Sequence, residues 1–338
     1  MKIQYAIAQL IDSVDLSSEQ MQAAMRLIMT GECTDSQIGG FLVALRMKGE
    51  TIDEITAAAQ VMSSLADQVQ VDAPNLIDIV GTGGDGTSTF NVSTAASFVA
   101  AGAGASVAKH GNRSVSSKSG SADLLEQAGA NLNLDAQQVA KVIQAAGVGF
   151  MFAPMHHSAM RHANSARKEM AVRTIFNVLG PLTNPANVKR QVVGVFAKEL
   201  TITLAKVFAQ LGSEHTLVVH SDDGMDEISI CAPTTISEMR EGRVETYTVT
   251  PQDFGMSIAS INDIVVADPS QSLAMIDDVL ANKPGPARDI VVLNAGAGIY
   301  VSGLAKSLAQ GVELASLAIA EGRALAAKDA YISATQAV

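Results

Sequence analysis

Cysteine is scarce in this chain: Cys33 and Cys231 are the two among 338 residues. They lie far apart and outside any Cys-x-x-Cys pair, which excludes a disulfide scaffold and leaves no structural zinc motif. The expected compartment is therefore the reducing cytoplasm. Tryptophan is missing and aromatics make up 4%, too few for a base-stacking platform. Positive charge is in deficit, with 23 Lys and Arg against 34 Asp and Glu for a net charge of −11, which opposes non-specific binding to nucleic acid or an anionic membrane. No uninterrupted apolar run is as long as a membrane span, and Met1 to Ile11 carries one Lys and no long apolar core. Neither a span nor an export signal is expected. With 48% hydrophobic residues, 17% charged and 9 prolines, disorder is excluded over most of the length. What remains is a packed globular protein with enough chain for two unequal domains.

From Met1 to about Val69 the apolar residues recur at helical spacing, as at Leu27, Ile28, Ile38, Phe41, Leu42 and Leu45. Ser17 with Gln20, Thr34 with Gln37, and Thr51 with Glu54 fit the capping box and mark three helix starts. The pattern changes at Leu76, where Leu-Ile-Asp-Ile-Val runs into a glycine-rich loop, as a buried parallel strand does. A helix is expected from about Ser93 to Ala101. Strand-like runs recur at Ser106 to Ala108, Gly149 to Phe152, Gln191 to Phe196, Thr216 to His220 and Ile290 to Leu293, with helical stretches between them. This alternation predicts an α/β fold around a mainly parallel sheet, joined to a small all-helical domain. Arg240 to Asp253 reads as a β excursion with loops.

Three loops carry chemistry. Gly81-Thr82-Gly83-Gly84-Asp85-Gly86-Thr87 follows the first strand and leads through Asn91 into Val92-Ser93-Thr94 at a helix start. Glycines let the backbone point N–H groups at an anion, and hydroxyls stand beside the helix N-terminus, so the loop reads as a phosphate cradle. An ordinary strand-to-helix turn is the bland alternative, and Asp85 would repel phosphate unless a metal or a ligand hydroxyl intervenes. The second loop, Lys109 to Ser121, holds three cations and several hydroxyls and suits a ligand with several phosphate oxygens, or else is a solvated basic loop. The third, Ser221-Asp222-Asp223-Gly224-Met225-Asp226-Glu227, offers adjacent carboxylates for magnesium, or is an Asp-Asp-Gly turn with solvated acids. His156, His157 and His162 lack the i, i+4 zinc spacing and read as structural histidines near Arg161 and Arg167.

The motifs GTGGD at Gly81 to Asp85, NVSTA at Asn91 to Ala95, KHGNRSVSSKSGSAD at Lys109 to Asp123 and RTIFNVLGPLTNP at Arg173 to Pro185 together resemble the anthranilate phosphoribosyltransferase family, in order and over nearly the whole chain. The departures are Ser158 after His157 where the family usually has Pro, Ala171 where Gly is usual, and a varied Thr87-Ser88-Thr89-Phe90. The resemblance implies transfer of phosphoribose from phosphoribosyl pyrophosphate to the amine of anthranilate in tryptophan biosynthesis. It also implies magnesium, two ions per site, and a homodimer. The implied fold is of the nucleoside phosphorylase type: a small helical domain over residues 1–70 with a return segment near 164–185, and a large α/β domain over 71–338.

By position, the resemblance assigns the phosphoribosyl donor to Gly81, Gly84, Asp85, Thr89, Asn91, Val92, Ser93 and Thr94 on the first loop. On the second it assigns Lys109, His110, Gly111, Asn112, Arg113, Ser114, Val115, Ser116, Ser117 and Ser121. Gly81, Asn112 and Arg167 would face anthranilate, and Ser93, Asp226 and Glu227 the metal. Departure of pyrophosphate leaves positive charge on the sugar, while an aromatic amine is already neutral at pH 7, so no general base is required; His110 is a candidate late proton acceptor. Two other readings share the fold, a pyrimidine nucleoside phosphorylase and a non-catalytic nucleic-acid-binding relative. The second should be basic, unlike this chain. Ile38, Phe41, Leu42 and Leu45 exceed what one small bundle needs and are expected to form the dimer seam.

Overall fold

The computed structural model describes residues 1–113 and 120–338. Four helices open the chain: α1 (Ile3–Ile11), α2 (Ser18–Met29), α3 (Asp35–Lys48) and α4 (Ile52–Ser64). Each of the last three begins at its expected capping box, with the Ser17, Thr34 and Thr51 hydroxyls accepting the N–H of Gln20, Gln37 and Glu54. Reciprocal bonds of this kind satisfy donors that a helix start leaves orphaned. Glu54 also takes the Lys48 ammonium at 2.9 Å while completely buried, which ties the end of α3 to the start of α4.

The chain then runs β1 (Leu76–Gly81), α5 (Val92–Gly102), β2 (Ser106–Gly111), α6 (Ser121–Gln127), α7 (Ala136–Ala146), β3 (Val148–Phe152), α8 (Ala153–His156), α9 (Arg161–Met170), α10 (Phe176–Leu179), β4 (Arg190–Gly194), α11 (Glu199–Gln210) and β5 (His215–Ser221). A hairpin, β6 (Thr234–Arg240) and β7 (Arg243–Val249), is followed by α12 (Pro269–Leu280), α13 (Pro286–Ser302), α14 (Leu308–Ala320) and α15 (Arg323–Ala337). The sheet order is β3-β2-β1-β4-β5-β6-β7. The first five strands are parallel and the last two antiparallel, so the mainly parallel sheet holds and the β excursion is its antiparallel edge.

Two apolar cores flank the sheet. Ile77, Ile79, Val192 and Leu217 face one core with α5, α7 and the C-terminal helices, whereas Val193, Val195 and Val218 face another shared with α11, α9, α10 and the opening helices. The alternation along each strand assigns its residues to opposite faces.

Two expectations are corrected. Ile290 to Leu293 is not a strand but the middle of α13. That helix is covered on all sides, packed between the sheet and α5 and α14, and a helix buried all round shows the continuous apolar run that a buried strand shows. The proposed seam residues are also wrong: Ile38, Phe41, Leu42 and Leu45 are buried within this chain's own core. The apolar side chains left outside on α1 and α3 are Tyr5, Ile11, Val43 and Met47, the last 83% exposed.

Candidate active site

The candidate residues gather at the C-terminal ends of the parallel strands, where open α/β sheets place ligands. The β1–α5 loop leaves the sheet with Gly83, Gly84 and Gly86 all at positive φ, a sequence of left-handed turns that side chains resist. Its far end is pinned from outside: Thr89 bridges Val265, the Phe90 N–H donates to the Ile264 carbonyl, and the Asn91 N–H donates to the buried Ser272 hydroxyl. Asp85 accepts from the Thr87 hydroxyl, which turns its carboxylate into the loop. Gly81 ends β1, Gly84 gives its carbonyl to the Arg173 guanidinium, and Arg173 lies over Phe196. Val92 and Thr94 are buried on α5, so the Val92 side chain belongs to the core.

Four sequence-distant segments meet beside this loop. Lys109, buried on β2, donates to the Ile79 carbonyl and to the Ser93 hydroxyl at 3.1 Å. Glu227 accepts the Ser93 N–H at the start of α5, and Asp226 accepts the Gly83 N–H at 2.8 Å. Burial, and then the charge of Asp85, pushes the Asp226 carboxyl up to about 6; burial, and then Asp226, raises Glu227 well above the ordinary range. Burial pulls Lys109 down while Asp78, Glu227 and Asp226 pull it back up. Among the described residues no three His, Cys, Asp or Glu side chains form a ready-made metal cage. Magnesium seldom needs one, since it binds through one or two carboxylates and completes its shell with water and substrate phosphate; two crowded carboxylates and a hydroxyl fit that pattern. Asp222 and Asp223 are structural, paired with Lys198 and with the Ser229 hydroxyl.

The rest of the second loop divides. Gly111 ends β2, Asn112 is exposed with its carbonyl taken by Ala122 and Ser121, and Arg113 is held by Asp123 and Glu126 on α6. Ser114, Val115, Ser116 and Ser117 lie outside the described residues. His110 is buried, and burial followed by the neighbouring His157 lowers it to about 3. Its Nδ1 meets the Gly180 carbonyl at 3.3 Å. A carbonyl can only accept, so Nδ1 carries the proton and Nε2 keeps a lone pair, buried and without a protein partner among the described residues. Such weak basicity makes His110 a poor proton store.

Sequence reasoning set His157 aside as structural, yet its ring lies 5.0 Å from that of His110, it bonds the Thr183 backbone, and its Nε2 is likewise buried and unpaired. The signal available was its place beside the 180–185 turn, which becomes informative only once that turn lies against β2. Arg167, on α9, stacks over Phe176 at 5.0 Å and has no ion-pair partner among the described residues. Burial alone lowers its guanidinium below the ordinary value. A half-buried cation without an anion among the described residues, stacked on an aromatic ring, is suited to the carboxylate of an aromatic acid. His156 bonds the Asp67 backbone, and Arg161 is exposed.

A helical bundle before an α/β domain, with an acid-lined cradle at the sheet's C-terminal edge, defines a glycosyl transferase class: residues 4–66 match the glycosyl transferase family helical bundle domain, and residues 73–325 its a/b domain. A protein of Marinomonas sp. (strain MWYL1) named anthranilate phosphoribosyltransferase is 58% identical over 96% of this chain and 94% of its own. The anthranilate phosphoribosyltransferase of Thermus thermophilus superposes with a TM-score of 0.92 at 39% identity, covering 98% of this chain and 99% of that one. The Saccharomyces cerevisiae enzyme, solved in complex with PRPP and Mg, gives 0.92 at 29% identity over 99% and 98%. The chain belongs to the anthranilate phosphoribosyltransferase family.

Proposed function

We propose that this chain transfers the phosphoribosyl group from phosphoribosyl pyrophosphate to the amine of anthranilate, giving N-(5-phosphoribosyl)anthranilate and pyrophosphate in tryptophan biosynthesis. The observation that carries this reading is the placement of the Ser93, Asp226 and Glu227 group at the glycine loop together with Arg167 on the return segment, which has no ion-pair partner among the described residues. A phosphorylase acting with inorganic phosphate needs neither half of that arrangement.

The donor's phosphates would lie against the N–H groups of the Gly81–Thr87 loop and the start of α5, with the Lys109 ammonium beneath. Magnesium, two ions in our reading, would be held by Ser93, Asp226 and Glu227 and would neutralise charge on the departing pyrophosphate. Arg167 would grip the anthranilate carboxylate, and the Nε2 lone pairs of His110 and His157 would accept from its amine, aiming the nitrogen at the sugar. The aromatic amine attacks as the neutral base, so the chain supplies position and electrostatics rather than proton abstraction.

We also read the chain as a small helical unit, 1–70 with 164–185, working against a large unit, 71–338. In the assembly we propose, two copies pair through the exposed faces of α1 and α3. The reaction is tested by the loss of anthranilate fluorescence on adding phosphoribosyl pyrophosphate and magnesium. Phosphorolysis of thymidine in place of that loss would overturn the assignment.

A further inference from the structure

β1 and β4 each carry one buried polar residue among apolar neighbours, Asp78 and Gln191. The two are register partners, and they are 0% and 3% exposed. They share the sheet face of Val80 and Val193, toward the opening helices. Buried polar groups in the middle of a sheet are costly unless every one is bonded, and an apolar pair would fill the same space. Both side chains bond one segment, the turn after α10. The Asp78 Oδ2 accepts from the Asn184 amide at 2.8 Å, and the Gln191 amide donates to the Pro181 carbonyl at 3.0 Å. The Asp78 Oδ1 accepts the main-chain N–H of His110 at 3.3 Å, and His110 meets the same turn again at the Gly180 carbonyl.

We propose that Asp78, supported by Gln191, is a positioning residue for the acceptor half of the site, holding His110 and the Gly180–Asn184 turn at the separation that an aromatic amine requires. The inference rests on the functional reading above. Asn184 cannot be turned to serve a different residue at 78: its Oδ1 already accepts the Ala186 N–H and its amide also donates to the Ala108 carbonyl. Asp78→Asn therefore sets an amide NH2 against either the His110 N–H or the Asn184 NH2, and the turn must move although the volume is unchanged. Gln191→Met leaves the Pro181 carbonyl buried and unbonded, a separate route to the same displacement.

The test is steady-state kinetics of both variants with each substrate varied in turn, beside thermal unfolding. The expected result is an anthranilate KM raised by about tenfold or more in both variants, from a lost buried hydrogen bond, while in Gln191→Met, which leaves the Asp78 charge beside Lys109 in place, the phosphoribosyl pyrophosphate KM changes by less than about threefold. Equal increases in both constants in Gln191→Met, or a lowered unfolding temperature with both constants unchanged, would show a merely structural role and overturn the proposal. If Asp78→Asn does not fold, Gln191→Met decides alone. Wild-type turnover is measured first: its absence overturns the functional reading itself, whereas normal wild-type turnover with an unmoved acceptor KM in the variants overturns only this inference.

Discussion

Gly194 lies so close to Asp226 that a β-carbon on it would stand 1.6 Å from the Asp226 carbonyl oxygen. Its register partner on β1, Gly81, would place a β-carbon 2.4 Å from the Asp226 carboxylate. Two glycines on adjacent strands thus form the seat on which the metal-side acid rests. Gly194→Ala forces backbone against backbone and is expected to lower turnover at least about tenfold and to destabilise the fold by about 1–3 kcal/mol, the usual range for overpacking. Activity and unfolding midpoint together check this, and a variant with wild-type values for both would show that the seat is not needed.

Turnover is expected to require a divalent cation, and Asp226→Asn and Glu227→Gln should each reduce it sharply while the fold survives. Each substitution keeps shape and removes one of two crowded negative charges, so neither should unfold the chain. The measurement is rate against magnesium concentration. Full activity in excess chelator would refute the role.

Arg167→Ala should raise the anthranilate KM by about 10-fold to 100-fold, from a charged hydrogen bond worth about 1.5 to 3 kcal/mol. The donor constant should change little. Arg167→Lys should recover only part of the loss, because an ammonium keeps the charge without the two-pronged plane. An anthranilate constant that stays at the wild-type value in Arg167→Ala would transfer the role to Asn112 or Arg161.

Burial holds His110 at about 3 and His157 at about 4, below the value of about 6.5 for an unfolded chain. Between those limits the unfolded state binds more protons, so the stability is fully present above about pH 6.5 and is lost as pH falls toward 4. Asp78 acts in the opposite sense: burial raises it to about 6, so its protonation favours the folded form below that pH and offsets part of the loss. Asp226 and Glu227, also raised by burial, act in the same sense as Asp78, so the imidazole contribution is read by difference: the wild-type midpoint should fall more steeply between about pH 6.5 and pH 4 than that of a variant lacking one imidazole. His157→Asn, which can still donate to the Thr183 backbone, should flatten the decline; a slope as steep as the wild type's would count against this account.

Met47→Glu, on the exposed face of α3, should yield monomers if two copies pair there, since a carboxylate in an apolar seam lacks a partner. Light scattering at micromolar concentration reads the outcome. A wild-type chain that is already monomeric and active would remove the premise.

Much of the fold was legible locally. The capping boxes at Ser17, Thr34 and Thr51 act within one helical turn, and the glycines at 83, 84 and 86 answer to their own backbone angles, so each could be read without knowing the rest of the chain. Ala171 shows the same locality: it closes α9 at a φ of +52°, a left-handed position that glycine ordinarily takes at a helix end. Ile290 to Leu293 misled because periodicity reports how much of an element is covered, and a helix covered on every side leaves no polar face to count. Ile38, Phe41, Leu42 and Leu45 misled likewise, because an apolar stripe does not say whether its cover comes from the same chain or another.

By itself the sequence determined the elements, the loops able to cradle an anion and the family motifs, because those depend on neighbours a few residues away. Only the tertiary structure decided that Lys109 meets Ser93, that Asp226 rests on Gly81 and Gly194, that Asp222 and Asp223 pair with Lys198 and Ser229, and that Arg167 stands without an acid among the described residues. Those relations join segments brought together by strand pairing and by the packing of the return segment against the opening helices. Burial, rather than residue type, then shifts His110, His157 and the two acids away from their ordinary protonation.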